Sequence, residues 1–385
     1  MTFQRPEATL SALTALARDV GEEHAQRLER LDETAAAKGA LAALAAAGLP
    51  AWTVPARDGG ADAEHLAAEE EVSVRALCAV RDELAWHSGM LDVVFVLQGL
   101  GSYPVALAGG EKLRAECLPR VARGQRVPAF ALTEPGAGSS LGDVATTAVK
   151  SDRGWRLAGQ KTFISNAGVA DFYTVLARTS GAPGESKGLS MFHVPASARG
   201  IEVARFEVMA PHPIGDVHFH DVEIPADSLL GEEGQGLEIA LATLGRFRTS
   251  VAAAANGFAR RALDESRTHL AERKQFGRPL ASFQSLRFDL ADMDVRLRAA
   301  QLLVHEAAAA VDRGERATAE VARAKLYATE NASWTCDRAV QHFGGLGVKV
   351  GSVVERLFRE TRALRIYEGT SEIQKLVLAK EILGE

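Results

Sequence analysis

Val217-His218-Phe219-His220-Asp221-Val222-Glu223-Ile224, closed by Pro225, reads as a half-buried β-strand. Val217, Phe219 and Val222 stand among polar neighbours, β-branched and aromatic side chains suit a pleated surface, and Pro225 cannot continue the ladder. Residues 155–158, 172–177 and 189–194 upstream are further short apolar runs separated by turn residues. Residues 126–231 therefore read as one β domain of roughly a hundred residues.

On either side the texture is helical. Before it, apolar residues recur at three- and four-residue spacing in Leu10, Leu13, Leu16 and Val20 and again in Leu41, Leu44 and Leu49, with breaks read at Gly59-Gly60, residues 101–104 and Gly109-Gly110. After it, helices are predicted over residues 237–270, 282–313 and 317–343, followed by shorter ones near Val353 and Glu372. Helices, then strands, then helices describe segregated layers, whereas a Rossmann sheet needs strands and helices in alternation. The expected fold class is α+β, with an N-terminal α-helical domain (1–125), a central β domain (126–231) and a C-terminal α-helical bundle (232–385).

Composition narrows the function classes. With 385 residues, 47% of them hydrophobic and 24% charged, the chain can bury a large core in two or three domains. A net charge of -6 argues against nucleic acid as a partner, since a phosphate-binding surface needs a basic excess. The first eight residues lack a basic segment followed by an apolar run, and the uncharged run 39–56 is broken by Gly48, Pro50 and Pro55. Neither a secretory leader nor an integral membrane segment is expected. Cys78, Cys117 and Cys336 lie far apart without metal or disulfide spacing, which suits a reducing cytoplasm.

Three stretches carry candidate chemistry. In Phe130-Ala131-Leu132-Thr133-Glu134-Pro135-Gly136-Ala137-Gly138-Ser139-Ser140, two glycines and two serines offer backbone N–H groups and hydroxyls to a phosphate or a polar cofactor ring. A plain Gly-Pro turn fits the same residues, and the dinucleotide GxGxxG pattern does not. In Gly159-Gln160-Lys161-Thr162-Phe163-Ile164-Ser165-Asn166, Phe163 and Ser165 share one face of an extended chain, either to cover a flat ring and bond its edge or simply to pack a strand. In Arg365-Ile366-Tyr367-Glu368-Gly369-Thr370-Ser371-Glu372-Ile373-Gln374, Glu368 precedes a flexible Gly369 and a helix start. Ser371 and Gln374 have capping-box spacing ahead of Leu376, Val377 and Leu378. Glu368 is a candidate base, or a surface carboxylate beside a helix. His218 and His220, near His212 and Asp216, read as a polar strand face, and no metal site is expected.

Taken together these stretches resemble the acyl-CoA dehydrogenase family over essentially the whole chain. The resemblance rests on a loop like T-E-P-x-x-G-S, a strand like K-x-x-I-[ST]-N, Arg273-Lys274-Gln275-Phe276-Gly277, Gln341-His342-Phe343-Gly344-Gly345 and Ile366-Tyr367-Glu368-Gly369-Thr370, in that order. It implies a β-barrel-like central domain, a C-terminal domain like a four-helix bundle, and an FAD enzyme that removes two hydrogens across the α and β carbons of an acyl-CoA thioester. Glu368 then takes the α proton, and the β hydrogen leaves as hydride to the flavin. Phe130, Leu132, Thr133, Gly138, Ser139, Phe163 and Ser165 are implied in flavin binding, completed by Thr370 and Glu372. Arg273, Phe276, Gln284, Gln341 and Gly345 match positions that reach the FAD of a neighbouring subunit, so a homotetramer built from dimers is implied. Ser139, Arg248, Tyr367 and Gly369 match substrate-side positions, and electron-transferring flavoprotein is the implied electron acceptor.

The chain departs from the family at Ser140 and Gly245, where Asp is common, at Phe163 for Trp, at Glu360 for Asp, and at Pro211-His212-Pro213. Phe247 occupies the position where some members carry the base, which favours Glu368. Alternatives within the fold are a dehydrogenase of carrier-protein-bound acyl groups, an oxidase that passes electrons to oxygen, and a non-catalytic scaffold.

Overall fold

The computed structural model describes residues 5–63, 65–68 and 70–384. Five helices come first: α1 (Arg5–Leu28), α2 (Glu33–Ala46), α3 (Val74–His87), α4 (Gly89–Ala108) and α5 (Glu111–Ala122). Eight strands follow: β1 (Pro128–Ala131), β2 (Thr147–Ser151), β3 (Gly154–Ser165), β4 (Phe172–Arg178), β5 (Leu189–Pro195), β6 (Ile201–Arg205), β7 (Ile214–Ile224) and β8 (Leu229–Leu230). Helix α6 (Gly236–Glu272), a hairpin of β9 (Lys274–Gln275) and β10 (Arg278–Pro279), and helices α7 (Gln284–Asp312), α8 (Thr318–Phe343), α9 (Val353–Arg362) and α10 (Ser371–Leu383) complete the chain. The architecture is helical at both ends with a sheet between, as the texture of the sequence predicts.

The break expected at residues 101–104 does not occur, because α4 runs through it. A Cβ on Gly101 would lie 2.7 Å from Pro128 Cβ and 2.9 Å from Ala129 N, so this glycine permits close approach of helix and strand. Thr174 Oγ1 donates to the Gly101 carbonyl at 3.1 Å. Among the described residues α4 alone is long and apolar enough to cross a membrane, and 83% of its apolar window is buried inside the fold.

The sheet runs in the order β6-β7-β3-β2-β4-β5-β8, with β1 parallel to β4. Two irregularities in the antiparallel β3–β7 pair explain its sequence pattern. Opposite Leu157 and Gly159, β7 carries an extra residue between Phe219 and Val222, with Asp221 at φ 51. That bulge lets Val217, Phe219, Val222 and Ile224 all reach the buried core despite the broken alternation. The second bulge lies on β3, between Lys161 and Ile164, with Phe163 at φ 54. The Gly159–Asn166 cluster therefore lies mostly within a strand, and β3 is longer than residues 155–158 suggested. Strands β1, β2, β6 and β8 and the β9–β10 hairpin have no counterpart in the sequence reading, β2 and β6 because both are largely exposed and lack an apolar run.

The contacts divide the described residues into two compact units, one comprising those up to Glu22, Val74–Asp92 and those from Arg248 on, the other Glu23–Ser73 and Val93–Phe247. The first has a core rich in alanine, with Ala252, Ala255, Ala259, Ala300, Ala307, Ala324, Ala328 and Ala332 all buried. Small side chains let the helices pack closely. Asp312 at the end of α7 accepts from Val74 N–H at 2.7 Å and Arg75 N–H at 3.2 Å, satisfying donors at the start of α3 that no helix can pair internally. The second unit is built on the sheet, with Trp155, Leu157, Tyr173, Phe192 and Val217 in its core.

Candidate active site

The turn that carries Glu368 follows α9 and a 3-10 turn at Ala363–Arg365. Glu368 adopts φ 54 and Gly369 φ 92, both left-handed. For a residue with a Cβ this costs about 1–2 kcal/mol, so something must hold it. Two cations do: Arg248 Nε of α6 donates to the Glu368 carbonyl and Lys325 Nζ of α8 to the Gly369 carbonyl, each at 2.7 Å. Gln374 Nε2 adds a second donor to the Gly369 carbonyl at 3.1 Å. Thr370, not Ser371, is the N-cap of α10, its hydroxyl accepting from Ile373 N–H at 3.3 Å. The Ser371 hydroxyl is instead engaged with Glu330, so the capping-box reading placed the cap one residue late.

Glu368 is half-buried, and its Oε2 atom is shut off from solvent with no hydrogen-bond partner among the described residues. Burial pushes its carboxyl above the ordinary carboxylate range, opposed by the charges of Arg81, Arg248 and Lys325. Arg81 is fully buried, bonded to both oxygens of Asp92 at 2.7 and 2.9 Å and to Ser250 Oγ at 3.0 Å. Burial brings Lys325 down to about 8, partly offset by Glu368. Tyr367 is 37% exposed. Lys325, Arg81 and Asp92 were missed in the sequence, where each is an ordinary charged residue on a helix.

In the sheet unit, the loop after β1 and strand β3 are tied by a buried ion pair. Lys161 Nζ meets Glu134 Oε1 at 2.7 Å and the Leu132 carbonyl at 2.9 Å. Glu134 also accepts from Ala145 N–H at 2.7 Å and Thr146 N–H at 3.0 Å. Burial lowers Lys161 to about 8 against the pull of Glu134. The T-E-P and K-x-x-I-S-N stretches are thus two ends of one structural device. Leu132 is buried and Phe130 and Thr133 half-buried, while Gly136, Gly138, Ser139 and Ser140 are exposed. A Cβ on Gly136 or Gly138 would meet nothing within 4 Å. Phe163, turned out by the β3 bulge, is 60% exposed and meets Phe206 edge-on at 5.1 Å. Ser165 Oγ lies 2.7 Å from His212 Nε2.

Arg273, Phe276, Gln284, Gln341 and Gly345 are all exposed, and none belongs to the Glu368 turn. Phe276 is 91% exposed at the tip of the β9–β10 hairpin, where φ 51 and the following Gly277 at φ 78 make the turn. Glu372 is also exposed. Phe247 is fully buried, edge-on to Tyr103 at 5.5 Å between centroids. Among the described residues, no group of three or more His, Cys, Asp or Glu side chains is placed to hold a metal.

The family models described as acyl-CoA dehydrogenase N-terminal, middle and C-terminal domains match residues 7–125, 129–222 and 234–383. The chain is 36% identical to cyclohexane-1-carbonyl-CoA dehydrogenase of Geobacter metallireducens over 312 residues, 80% of this chain and 82% of that protein. It is 38% identical to the caffeyl-CoA reductase-Etf complex subunit CarC of Acetobacterium woodii over 310 residues, 78% of this chain and 80% of that one. Its fold matches butyryl-CoA dehydrogenase from Megasphaera elsdenii with a TM-score of 0.89 at 31% identity, covering 97% of this chain and 98% of the other. The chain belongs to the acyl-CoA dehydrogenase family, whose members are FAD-dependent.

Proposed function

We propose that Glu368 is the base of the FAD-dependent α,β-dehydrogenation of acyl-CoA thioesters that this family performs. The observation that carries the assignment is a carboxylate with one buried, unpartnered oxygen on a turn clamped by Arg248 and Lys325. FAD, when bound, supplies the acceptor for the β hydrogen and its electron pair. Glu368 takes the α proton onto its carboxylate, leaving a double bond between the α and β carbons. Burial makes this carboxylate a stronger base than one in water, while the nearby cations favour its ionised form. Polarisation of the thioester carbonyl falls to the Glu368 backbone N–H, which takes no partner among the described residues. Tyr367, Gly369 and Arg248 hold the substrate side of the turn.

The residues of the sheet unit fit the cofactor. Gly136, Gly138 and Ser139 offer exposed backbone and hydroxyl donors in open space, and Phe163 offers an exposed flat ring close in sequence to the Ser165 hydroxyl. Phe130, Leu132, Thr133, Gly138, Ser139, Phe163 and Ser165 would hold the flavin, with Thr370 and Glu372. Arg273, Phe276, Gln284, Gln341 and Gly345 serve a second copy, consistent with their exposure. A homotetramer is further supported by Phe288, Val295 and Leu302, which lie two helical turns apart on α7 and are 59%, 67% and 53% exposed. Light scattering reads the assembly directly, and a monomer at micromolar concentration overturns it. Electron-transferring flavoprotein is the proposed acceptor, supported by the Etf complex of the Acetobacterium relative.

Purified protein is expected to be yellow and to bleach anaerobically with its acyl thioester. E368Q should stay yellow and bleach far more slowly; unchanged bleaching removes Glu368 from its role. A panel of acyl groups on CoA and on carrier protein tests one second reading. Gly245 stands where an Asp often meets CoA, and a Cβ there would meet nothing within 4 Å, which favours a carrier-bound substrate. Arg246, Arg260 and Arg261 are already paired with Glu71, with Asp82 and Glu83, and with Glu265.

A further inference from the structure

We propose that His212 is a positioning residue for the flavin edge, giving the Ser165 hydroxyl a second partner so that it can serve the cofactor in both oxidation states. The proposal rests on the assignment of Ser165 to the flavin.

The pair is built, not incidental. Ser165 ends β3, and its Oγ lies 2.7 Å from His212 Nε2. His212 stands between Pro211 and Pro213, whose rings fix the backbone on either side. The His212 backbone N–H donates to Glu33, which also pairs with Arg205. The Pro213 carbonyl accepts from Asn166 N–H at 2.6 Å, tying the histidine segment to the residue after Ser165. The His212 backbone is thus anchored to α2 through Glu33, to the end of β6 through Glu33 and Arg205, and to the end of β3 through Pro213, and the imidazole itself bonds Ser165. Burial takes His212 down to about 4, so the ring is neutral near pH 7 and can present one nitrogen as an acceptor.

The chemistry follows from counting protons. The N5 atom of an oxidised flavin has a lone pair and accepts a hydrogen bond, whereas the two-electron-reduced ring carries N5–H and donates one. A serine hydroxyl has a single proton. With an oxidised ring bound, Ser165 would point that proton at N5. With a reduced ring bound, Ser165 would accept from N5–H, and its own proton would need another acceptor. His212 Nε2, with the ring proton on Nδ1, is that acceptor at 2.7 Å. Without it the reduced state leaves the hydroxyl proton unpartnered in a half-buried place, which disfavours reduction.

The test is the midpoint potential of the FAD-loaded protein, measured against a reference dye, together with FAD affinity and the visible spectrum. H212F is expected to retain FAD and lower the potential by about 30 mV, a tenfold change in the equilibrium of a two-electron couple. H212Q, which restores an acceptor, should move the potential back toward the wild-type value. In an S165A background, H212F should add nothing. If H212F does not load FAD, H212L supplies the same comparison. A wild-type potential in H212F, or an equal shift with and without Ser165, overturns the proposal. An S165A protein with unchanged potential and spectrum overturns the flavin assignment beneath it, a distinguishable result.

Discussion

Glu368 and Phe163 are both non-glycine residues at φ 54, and each is held in that left-handed conformation by different means. Around Glu368 the support is ionic: Arg248 and Lys325 bond consecutive carbonyls, and Arg81 with Asp92 adds buried charge. Around Phe163 the turn comes from the sheet itself, a one-residue bulge opposite β7, with the Ser165–His212 bond nearby. Charge suits a turn whose product is a tuned carboxylate, because the cations that fix the backbone also set the proton affinity. A bulge suits a surface that presents an uncharged ring and hydroxyl.

The largest expected effect lies at the base. Replacing Glu368 by Gln should slow anaerobic bleaching by about 10²- to 10⁴-fold with FAD retained. A comparable bleaching loss in S165A would erase the distinction between the two regions. Next, K161M should destabilise the sheet unit by about 3–5 kcal/mol, since it leaves the Glu134 charge buried and unpaired, as denaturant unfolding will report. If K161M proves nearly neutral, the loop and strand are not held by that pair.

Lys325 sharpens the comparison further. K325M removes a cation that favours the ionised Glu368, so the base pKa, already raised by burial, should rise further. The base acts as carboxylate and activity is lost as pH falls through its pKa. The acidic limb of the rate profile should therefore shift to higher pH, with up to about 100-fold loss from the misplaced turn. An unmoved acidic limb would make the lysine purely structural. F163A is the smallest perturbation. With its ring 60% exposed, stability should change by less than about 0.5 kcal/mol while FAD affinity falls, as fluorescence titration can read.

Much of the fold was legible from local pattern. The helices predicted over residues 237–270, 282–313 and 317–343 appear as α6, α7 and α8 within a few residues, because apolar periodicity reports which face must be buried. Polar edge strands such as β6 carry no such signal. Residues 101–104 misled because glycine and proline usually mark turns, whereas here Gly101 admits a neighbouring strand.

The sequence by itself determined the order of layers, the loop and strand stretches, and Glu368 as the carboxylate to examine. Only the tertiary structure decided what holds them. Arg248 reaches Glu368 across 120 residues of chain, Lys325 reaches Gly369 across 44, and Lys161 reaches Glu134 across 27. Periodicity encodes which face of an element is buried, but not which distant charge will meet it. His212 shows the same limit: the sequence marks Pro211-His212-Pro213 only as a departure from the family pattern, and the fold brings its Nε2 within 2.7 Å of Ser165 Oγ.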